Sequence, residues 1–250
     1  MDKIQKIRSM KSKEKIAMLT AYGYSFASIL GKADIDIILV GDSLGNVVMG
    51  YDTTQKVTIE DMIRHTQAVR NGAPGSLIVT DMPYRSDETK ESALKNTKLL
   101  LKAGADAVKV EGKPDIVKHL TKNNIKVMAH IGHLPQTDKP KVHKELEQLL
   151  KQAKELEEAG AFAIVLEMVQ SNIAKQVTDS LEIPTIGIGA GPYCDGQVLV
   201  INDMLGLFDK FKPKFVKQYT NLSEQAGKAI KDYIKEVKES KFPDKEHSFD

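Results

Sequence analysis

Residues 35–50 of the chain read IDIILVGDSLGNVVMG. The first half is a run of branched apolar residues, which is typical of a strand that is buried on both faces of a parallel sheet. The run ends abruptly at Gly41-Asp42-Ser43, so that a carboxylate follows the strand directly. An acidic side chain contributes little to packing at such a position. This stretch therefore predicts a parallel sheet with a polar site at the carboxyl end of its strands.

Three further apolar runs end in the same way. They are LIVTDM, which reaches Asp81, AVKVEG, which reaches Glu111, and AIVLEM, which reaches Glu167. A single acid after a strand is most often a helix cap or a turn residue, and this alternative is open for each acid taken alone. Because the pattern occurs four times, we interpret the acids as parts of one pocket. Three of them are expected to hold a divalent metal ion, and the fourth to move a proton.

The spacing of the apolar runs predicts an α/β fold, the (β/α)8 TIM barrel. Runs alternate with helix patterns at about the thirty-residue interval of a βαβ unit. Strands are expected at 16–22, 35–40, 77–82, 107–111, 126–131, 163–167, 183–188 and 198–201. A length of 250 residues suits one such barrel. We expect a single domain over 1–250, with a short N-terminal helix and a C-terminal helical extension. An open doubly wound sheet is the structural alternative, but TAYGYS after the first strand is not a glycine-rich phosphate loop.

Helix boundaries follow from the usual cap residues. Thr58 opens a capping-box pattern. Ser86 is predicted to cap the next helix, which closes at Gly104. The clearest amphipathic helix is predicted at 143–159, and the last helix at 223–239.

Composition excludes several classes of protein. A hydrophobic fraction of 41%, a charged fraction of 28% and a net charge of +2 are those of an ordinary globular protein. No basic stripe with interleaved aromatic residues occurs, so no nucleic-acid partner is expected. Neither an export signal nor a membrane span is expected, because no apolar run is long enough. The single Cys194 rules out a disulfide within the chain and suits a reducing compartment, and we expect a cytoplasmic protein.

The predicted barrel would divide the four acids into two groups. Asp42, Asp81 and Glu111 end strands two, three and four, and neighbouring strands lie about 4.8 Å apart. Three crowded carboxylates favour a hard cation with oxygen ligands, such as Mg²⁺. Glu167 ends strand six, across the barrel. We expect it to face a substrate and to remove a proton next to a carbonyl group.

Three more side chains are candidates for the pocket. Lys109 shares a strand face with Glu111, and its partner is either a substrate carboxylate or Glu111 itself. His130 closes strand five between the metal side and Glu167, although a histidine with a purely structural role in the core is an open alternative. Ser43 follows Asp42 and can donate from its hydroxyl or its backbone N–H.

Taken together, the strand-end motifs resemble those of the ketopantoate hydroxymethyltransferase family. The matching stretches are MLTAY at 18–22, ILVGDSLGNVVMGYDTT at 38–54, VTDMPY at 79–84, AVKVEG at 107–112, Pro-Gln at 135–136, IVLEMV at 164–169 and IPTIGIGAGPYCDGQVLV at 183–200. The resemblance covers almost the whole chain. VGDSLG together with GIGAG and CDGQVLV is highly specific.

The resemblance implies a barrel of the phosphoenolpyruvate/pyruvate superfamily type that binds one Mg²⁺ per subunit and assembles as a homodecamer. It implies transfer of a hydroxymethyl group from 5,10-methylenetetrahydrofolate to 3-methyl-2-oxobutanoate, giving 2-dehydropantoate and tetrahydrofolate in pantothenate synthesis. By matching positions, the metal ligands are Asp42, Asp81 and Glu111, the substrate-binding residues are Asp42, Ser43, Asp81, Lys109 and His130, and the proton acceptor is Glu167.

Two other functions compete with this one. A lyase or mutase of the same superfamily would carry a Cys-containing catalytic loop after a lysine pair, and the chain has no such loop. A scaffold that has lost its chemistry would have no reason to keep four crowded acids. The chain departs from the usual family sequence at Gly23, at His133-Leu134, in the lysine-rich loop 137–142 and at Asn202. These departures bear on folate contacts and loop order, because none of them touches the four acids.

Overall fold

A computed structural model describes residues 2–210 and 212–249 of the chain. The chain divides into two compact units, one up to Val200 and one from Ile201 onward. The first unit contains all the predicted strands and all the predicted site residues. The second is helical.

The first unit is built on parallel strands. They are Ile16–Thr20 (β1), Ile37–Val40 (β2), Ile78–Asp81 (β3), Ala107–Glu111 (β4), Val127–Gly132 (β5), Ala163–Glu167 (β6), Thr185–Ile188 (β7) and Gly196–Leu199 (β8). Each strand pairs with the next along the chain, and β8 pairs with β1, so the sheet is a closed barrel. The predicted (β/α)8 barrel is confirmed. Strand ends differ from the prediction by no more than two residues.

Helices cover the outside of the barrel and connect its strands. They are Lys3–Ser9 (α1), Tyr24–Lys32 (α2), Leu44–Val47 (α3), Ile59–Gly72 (α4), Lys90–Ala103 (α5), Pro114–Lys122 (α6), Leu146–Glu158 (α7) and Ser171–Ser180 (α8), with a 3-10 turn at Thr54–Lys56. The longer helices are amphipathic and bury one face, as Val117 and Leu120 of α6 illustrate. The capping box at Thr58 is present and opens α4.

Two predicted helix starts are wrong. Ser86 does not cap α5; Thr89 does, because its hydroxyl accepts a hydrogen bond from the Ser92 N–H (3.1 Å) and the Ser92 hydroxyl accepts one from the Thr89 N–H (3.0 Å). The amphipathic helix begins at Leu146 rather than at His143. The His143 backbone is extended instead and forms a parallel bridge to Val169.

The inner face of the barrel changes character along its axis. Its lower half is an apolar core that includes Val79, Met128 and Val165, with the buried side chains of α1 packed against the same core. The period of two along a strand then brings the next inward position to a charged or polar residue: Asp81 after Val79, His130 after Met128, and Glu167 after Val165. Folding of the core thus fixes the direction of the polar side chains above it.

Gly132, the last residue of β5, lies at a position that has no room for a side chain. Its φ is +91°, and an added Cβ would lie 2.2 Å from the Glu167 carbonyl oxygen and 2.8 Å from Cγ2 of Val169. Gly132 and Glu167 are register partners across β5 and β6. A side chain here would therefore push apart the two strands that carry His130 and Glu167.

We expect Gly132→Ala to lower the free energy of unfolding by about 3 kcal/mol, because it adds left-handed backbone strain to overpacking. Urea denaturation measures the change. Gly75→Ala is the matched control, since an added Cβ there meets nothing within 4 Å, and it should change stability by less than about 1 kcal/mol. A Gly132→Ala protein as stable as its parent would contradict the close approach of β5 and β6.

The second unit contains the helices Ile201–Met204 (α9) and Leu222–Lys238 (α10) and a 3-10 turn at Lys245–His247. The predicted last helix is thus present, and the Asn221 side chain caps it by accepting from the Glu224 N–H (3.3 Å). No residue of α10 is buried. None of the described helices has both the length and the apolar character needed to span a bilayer.

Candidate active site

A cavity of about 160 Å³ lies at the carboxyl end of the barrel strands. Each residue predicted from the sequence to belong to the site lines it, and these residues are Asp42, Ser43, Asp81, Lys109, Glu111, His130 and Glu167. Parallel strands bring their carboxyl ends to one face of a barrel, which is why residues far apart in sequence meet here.

Asp81 is the centre of the first group of contacts. Its Oδ2 accepts a hydrogen bond from the Asp42 backbone N–H (3.0 Å), and its Oδ1 lies 2.9 Å from Nζ of Lys109. Both Asp81 and Lys109 are almost wholly buried. Glu111 was the partner within the chain that the sequence suggested for Lys109, but the structure pairs Lys109 with Asp81 instead. The reason is register, because Asp81 and Lys109 are direct partners across β3 and β4.

His130 joins the second group of contacts. Its Nδ1 lies 3.6 Å from Oε1 of Glu111 and 3.4 Å from Nζ of Lys109. Its Nε2 lies 3.3 Å from Oε2 of Glu167. The ring is therefore inserted between two carboxylates, and it is the group through which Glu111 and Glu167 are connected. A role confined to apolar core packing does not fit these neighbours.

Ser43 lies on the side of the cavity formed by the β2 loop. Its Oγ is 2.8 Å from the Tyr22 hydroxyl, and either group can be the donor. The short helix α3 begins immediately after Ser43. The hydroxyl is therefore held in a fixed direction, next to Asp42 and at the wall of the cavity.

Burial and like charges set the protonation of the aspartates. Burial, and next to it the Asp81 charge, raise the pKa of Asp42 to about 8. Burial also raises the pKa of Asp81, against the opposing effect of Lys109. In the absence of a further cation, the site thus disfavours the state in which both aspartates are ionised.

Ion pairing sets the protonation of the other three groups. Burial alone would raise the pKa of Glu111, but hydrogen bonding to His130 lowers it below its usual value. Burial and Lys109 would lower the pKa of His130, yet its contacts with Glu111 and Glu167 raise it to about 8. The pKa of Lys109 is raised by Asp81, Glu111 and Asp42 despite its burial. Lys109 is therefore a permanent cation, and His130 is protonated over much of the neutral range.

The three carboxylates predicted to bind a metal are chemically suited to a hard divalent cation. Asp42, Asp81 and Glu111 are oxygen donors at the ends of neighbouring strands, and all three line one cavity. The side chains are not gathered into a ligand cluster as they stand. Within residues 2–210 and 212–249, no group of three or more His, Cys, Asp or Glu side chains has metal-holding geometry. One of the Asp81 oxygens, Oδ1, is already paired with a cation, because Nζ of Lys109 lies 2.9 Å from it.

Apolar side chains form much of the remaining wall of the cavity, together with the polar residues Thr20, Asn46 and Thr54. The apolar side chains include Leu39 on β2, Val165 on β6, Ile188 on β7 and Val198 on β8. The cavity therefore has a charged side at the ends of β2 to β5 and a mainly apolar side on β6 to β8, with Leu39 as a further apolar contact. Glu167 follows Val165 on β6 and so lies at the boundary between the two sides. A small molecule with an anionic end and a branched apolar end matches this division.

Sequence reasoning assigned no role to two polar contacts near the site. Gln136 is buried in the loop after β5, and its side-chain amide contacts Asp42. Asp87, also buried, is paired with Lys113 at the start of α6. The Pro-Gln motif was visible in the sequence, but a loop has no periodicity from which the direction of a side chain could be predicted.

The fold and the cavity together define a class of protein: an α/β-barrel enzyme with acid–base groups at the carboxyl ends of its strands. The model of the ketopantoate hydroxymethyltransferase family matches residues 2–245. The chain belongs to that family.

Known relatives agree with this assignment along their full length. The 3-methyl-2-oxobutanoate hydroxymethyltransferase of Sulfurisphaera tokodaii is 53% identical, over 96% of this chain and 94% of that protein. The enzymes of the same name from Syntrophus aciditrophicus and Thermotoga sp. strain RQ2 are 49% and 50% identical, over 97% and 98% of this chain and 94% and 96% of theirs.

Solved structures share the fold at low identity. A 2,3-dimethylmalate lyase, described as a member of the PEP mutase/isocitrate lyase superfamily, has a TM-score of 0.61 at 16% identity, covering 98% of this chain and 92% of its own. A phosphonopyruvate hydrolase in complex with oxalate and Mg²⁺ has a TM-score of 0.66 at 12% identity, covering 99% and 93%. At such identity these likenesses concern the barrel alone.

Proposed function

We propose that the chain transfers a hydroxymethyl group from 5,10-methylenetetrahydrofolate to 3-methyl-2-oxobutanoate, giving 2-dehydropantoate and tetrahydrofolate. The names of the relatives supply the acceptor and the transferred group. The observation that carries the proposal is the position of Glu167 at the boundary between the charged and the apolar wall of one small cavity. Membership of pantothenate synthesis follows from the product.

The two walls match the two ends of the acceptor. The carboxylate and keto oxygens of 3-methyl-2-oxobutanoate face the charged wall, where Lys109 offsets the negative charge and Ser43 donates a hydrogen bond. The two methyl groups face Val165, Ile188 and Val198. In this orientation C3 lies between the walls, within reach of Glu167.

Glu167 acts as the general base that removes the C3 proton. Nε2 of His130 lies 3.3 Å from Oε2 of Glu167, and attraction between the two groups would help to orient the carboxylate of the base. Water hydrolyses both carbon–nitrogen bonds of the methylene bridge, so that the two folate nitrogens take up the protons of water and the one-carbon unit is released as formaldehyde. The enolate then adds to the formaldehyde carbon, and the proton held by Glu167 passes to the new alkoxide, which becomes the hydroxyl group of the product.

Asp42, Asp81 and Glu111 are the residues that would hold a Mg²⁺ ion in this site. When bound, the ion would supply positive charge that stabilises the oxyanion developing on the keto group. Support comes from the three carboxylates that line one cavity at the ends of neighbouring strands, and from a protein of the same fold that was solved with oxalate and Mg²⁺.

Incubation of the purified protein with both substrates and Mg²⁺ tests the proposal directly. Formation of 2-dehydropantoate, followed by mass spectrometry, is the expected result. Addition of a chelator should stop the reaction, and added Mg²⁺ should restore it. Absence of product under all of these conditions would overturn the proposed reaction. Full activity in the presence of chelator would overturn the metal requirement alone.

We also propose that the chain forms a homo-oligomer, with a decamer as the expected assembly. Support comes from the exposed apolar residues Ile230, Tyr233, Ile234 and Val237, which lie at helical spacing on one face of α10. A face of this kind is typical of surfaces that are covered by another chain. Light scattering on the purified protein measures the assembly, and a monomer at micromolar concentration would contradict it.

A further inference from the structure

Gln136 contacts two of the three acids that are the candidates for metal binding. Its side-chain Nε2 donates to Oδ2 of Asp42 (2.8 Å), and its backbone N–H points to Oε2 of Glu111 (3.4 Å). The same Nε2 also donates to the backbone carbonyl of Met82 (2.9 Å), so both of its hydrogens have acceptors. Gln136 is 5% exposed.

The position of Gln136 separates it from the substrate. Its neighbour Pro135 is among the described residues that line the cavity, whereas Gln136 is not. The side chain therefore reaches Asp42 from outside the cavity. The contacts of Gln136 with the site are those with Asp42 and Glu111, so we expect its effect on the reaction to pass through these two acids.

The chemistry of the amide suits an orienting role. A carboxylate has two oxygens, and a hydrogen bond that fixes Oδ2 of Asp42 leaves Oδ1 free to turn into the cavity. The amide is a neutral donor, so it does not compete with the carboxylate for a cation. Its bond to the Met82 carbonyl anchors it to the backbone just after β3, and a satisfied buried amide of this kind has one stable orientation.

We propose that Gln136 is a positioning residue, which holds Asp42 through its side chain and Glu111 through its backbone in the orientation that binds Mg²⁺. The proposal rests on the proposed function, because it requires that these acids bind a cation. Second-layer hydrogen bonds of this type generally change metal affinity by about 10–100-fold. Gln136 is also a link to a third loop, since its backbone carbonyl accepts from Nε2 of Gln55 (2.7 Å).

The link to Gln55 provides a matched control. Gln136→Met keeps the volume of the side chain and removes the donor to Asp42, whereas Gln55→Met removes only the tether between the two loops. Titration calorimetry with Mg²⁺ and no substrate should show a 10–100-fold loss of affinity for Gln136→Met. The affinity of Gln55→Met should stay within about threefold of the parent.

The enzymatic activity of Gln136→Met provides a second test of the positioning role. If Gln136 acts by orienting the metal ligands, the activity lost in Gln136→Met should return when the Mg²⁺ concentration is raised in proportion, with kcat restored. A role confined to folding would lower the amount of active protein and would not respond in this way. Gln136→Asn is the second variant, should Gln136→Met fail to fold. Its amide is shorter by one methylene, so it should also lose at least about tenfold in affinity.

The outcomes separate the two proposals. Parental Mg²⁺ affinity in both Gln136 variants would overturn the positioning role and leave the proposed function intact. Equal losses in Gln55→Met and Gln136→Met would also overturn it, because loop anchoring would then explain the effect. A parent protein that does not bind Mg²⁺ would overturn the positioning role together with the metal requirement, and the assay for 2-dehydropantoate would then decide the proposed reaction separately.

Discussion

Replacement of Glu167 by Gln should abolish the exchange of the C3 proton of 3-methyl-2-oxobutanoate for deuterium. Glutamine has the shape of glutamate but cannot accept a proton. Loss of a positioned general base typically costs about 10²–10⁴-fold in rate. Proton NMR in D₂O with Mg²⁺ and without folate measures this step alone, because exchange requires only removal and return of the C3 proton.

The fold should tolerate this change. Glu167 is at the end of β6 with a side chain that is 16% exposed, and its described contact is with His130 rather than with the apolar core. Glu158→Gln, on the exposed side of α7, is the matched control and should exchange at the parental rate. Normal exchange in Glu167→Gln would remove Glu167 from the role of base.

The barrel and most of its site could be predicted because both depend on short-range rules. Apolar runs gave the number and order of the strands, and parallel strands present their ends on one face. Alternation along β4 predicted that Lys109 and Glu111 point inward, and both line the cavity. These features require only the period of a strand and the order of the strands in the barrel.

Errors arose where a distant contact decided the local structure. His143 has the spacing of a helical residue, but its backbone donates to the Met168 carbonyl (2.7 Å) and accepts from the Gln170 N–H (2.9 Å). Those hydrogen bonds keep the His143 backbone extended, so α7 begins only at Leu146. Ser86 and Thr89 are both plausible caps in sequence. Each is followed three residues later by a hydroxyl side chain, but in the structure it is Thr89 that exchanges hydrogen bonds with its partner, Ser92.

The partner of Lys109 was undecided in the sequence for a similar reason. Glu111 is two positions along the same strand, about 7 Å away, whereas a register partner on the next strand is about 4.8 Å away. Asp81 on β3 is the register partner of Lys109 on β4, but the register between two strands cannot be predicted from the sequence of one strand alone. Gln136 was beyond prediction altogether, since its direction depends on the path of a loop between β5 and α7.

Asp42→Asn should abolish tight Mg²⁺ binding while leaving the metal-free protein folded. The pKa of Asp42 is raised by burial, and next by Asp81, from 3.8 to about 8, so near neutral pH the metal-free side chain is largely a neutral acid. Asparagine resembles that neutral acid in shape and can still accept from Gln136. It cannot supply a carboxylate to a cation, and we expect a loss of affinity of about 100-fold or more by calorimetry.

The sign of the pH dependence gives a separate test. Because the folded chain binds the Asp42 proton more tightly than the unfolded chain does, this contribution to stability is complete below about pH 4 and is lost as the pH rises towards 8. The metal-free parent should therefore lose more stability than Asp42→Asn between pH 5 and 8. Added Mg²⁺ should raise the unfolding temperature of the parent at pH 8 and leave that of the variant unchanged.

Thermal unfolding with chelator and with Mg²⁺, at both pH values, measures these differences. Asp115→Asn, at an exposed position in the first turn of α6, is the control and should follow the parent throughout. Equal Mg²⁺ affinity in Asp42→Asn and the parent would remove Asp42 from the metal-binding set. If the metal-free parent and Asp42→Asn lost the same stability between pH 5 and 8, the Asp42 carboxyl would titrate near its usual pKa, which would contradict the effect of burial and of Asp81 on this group.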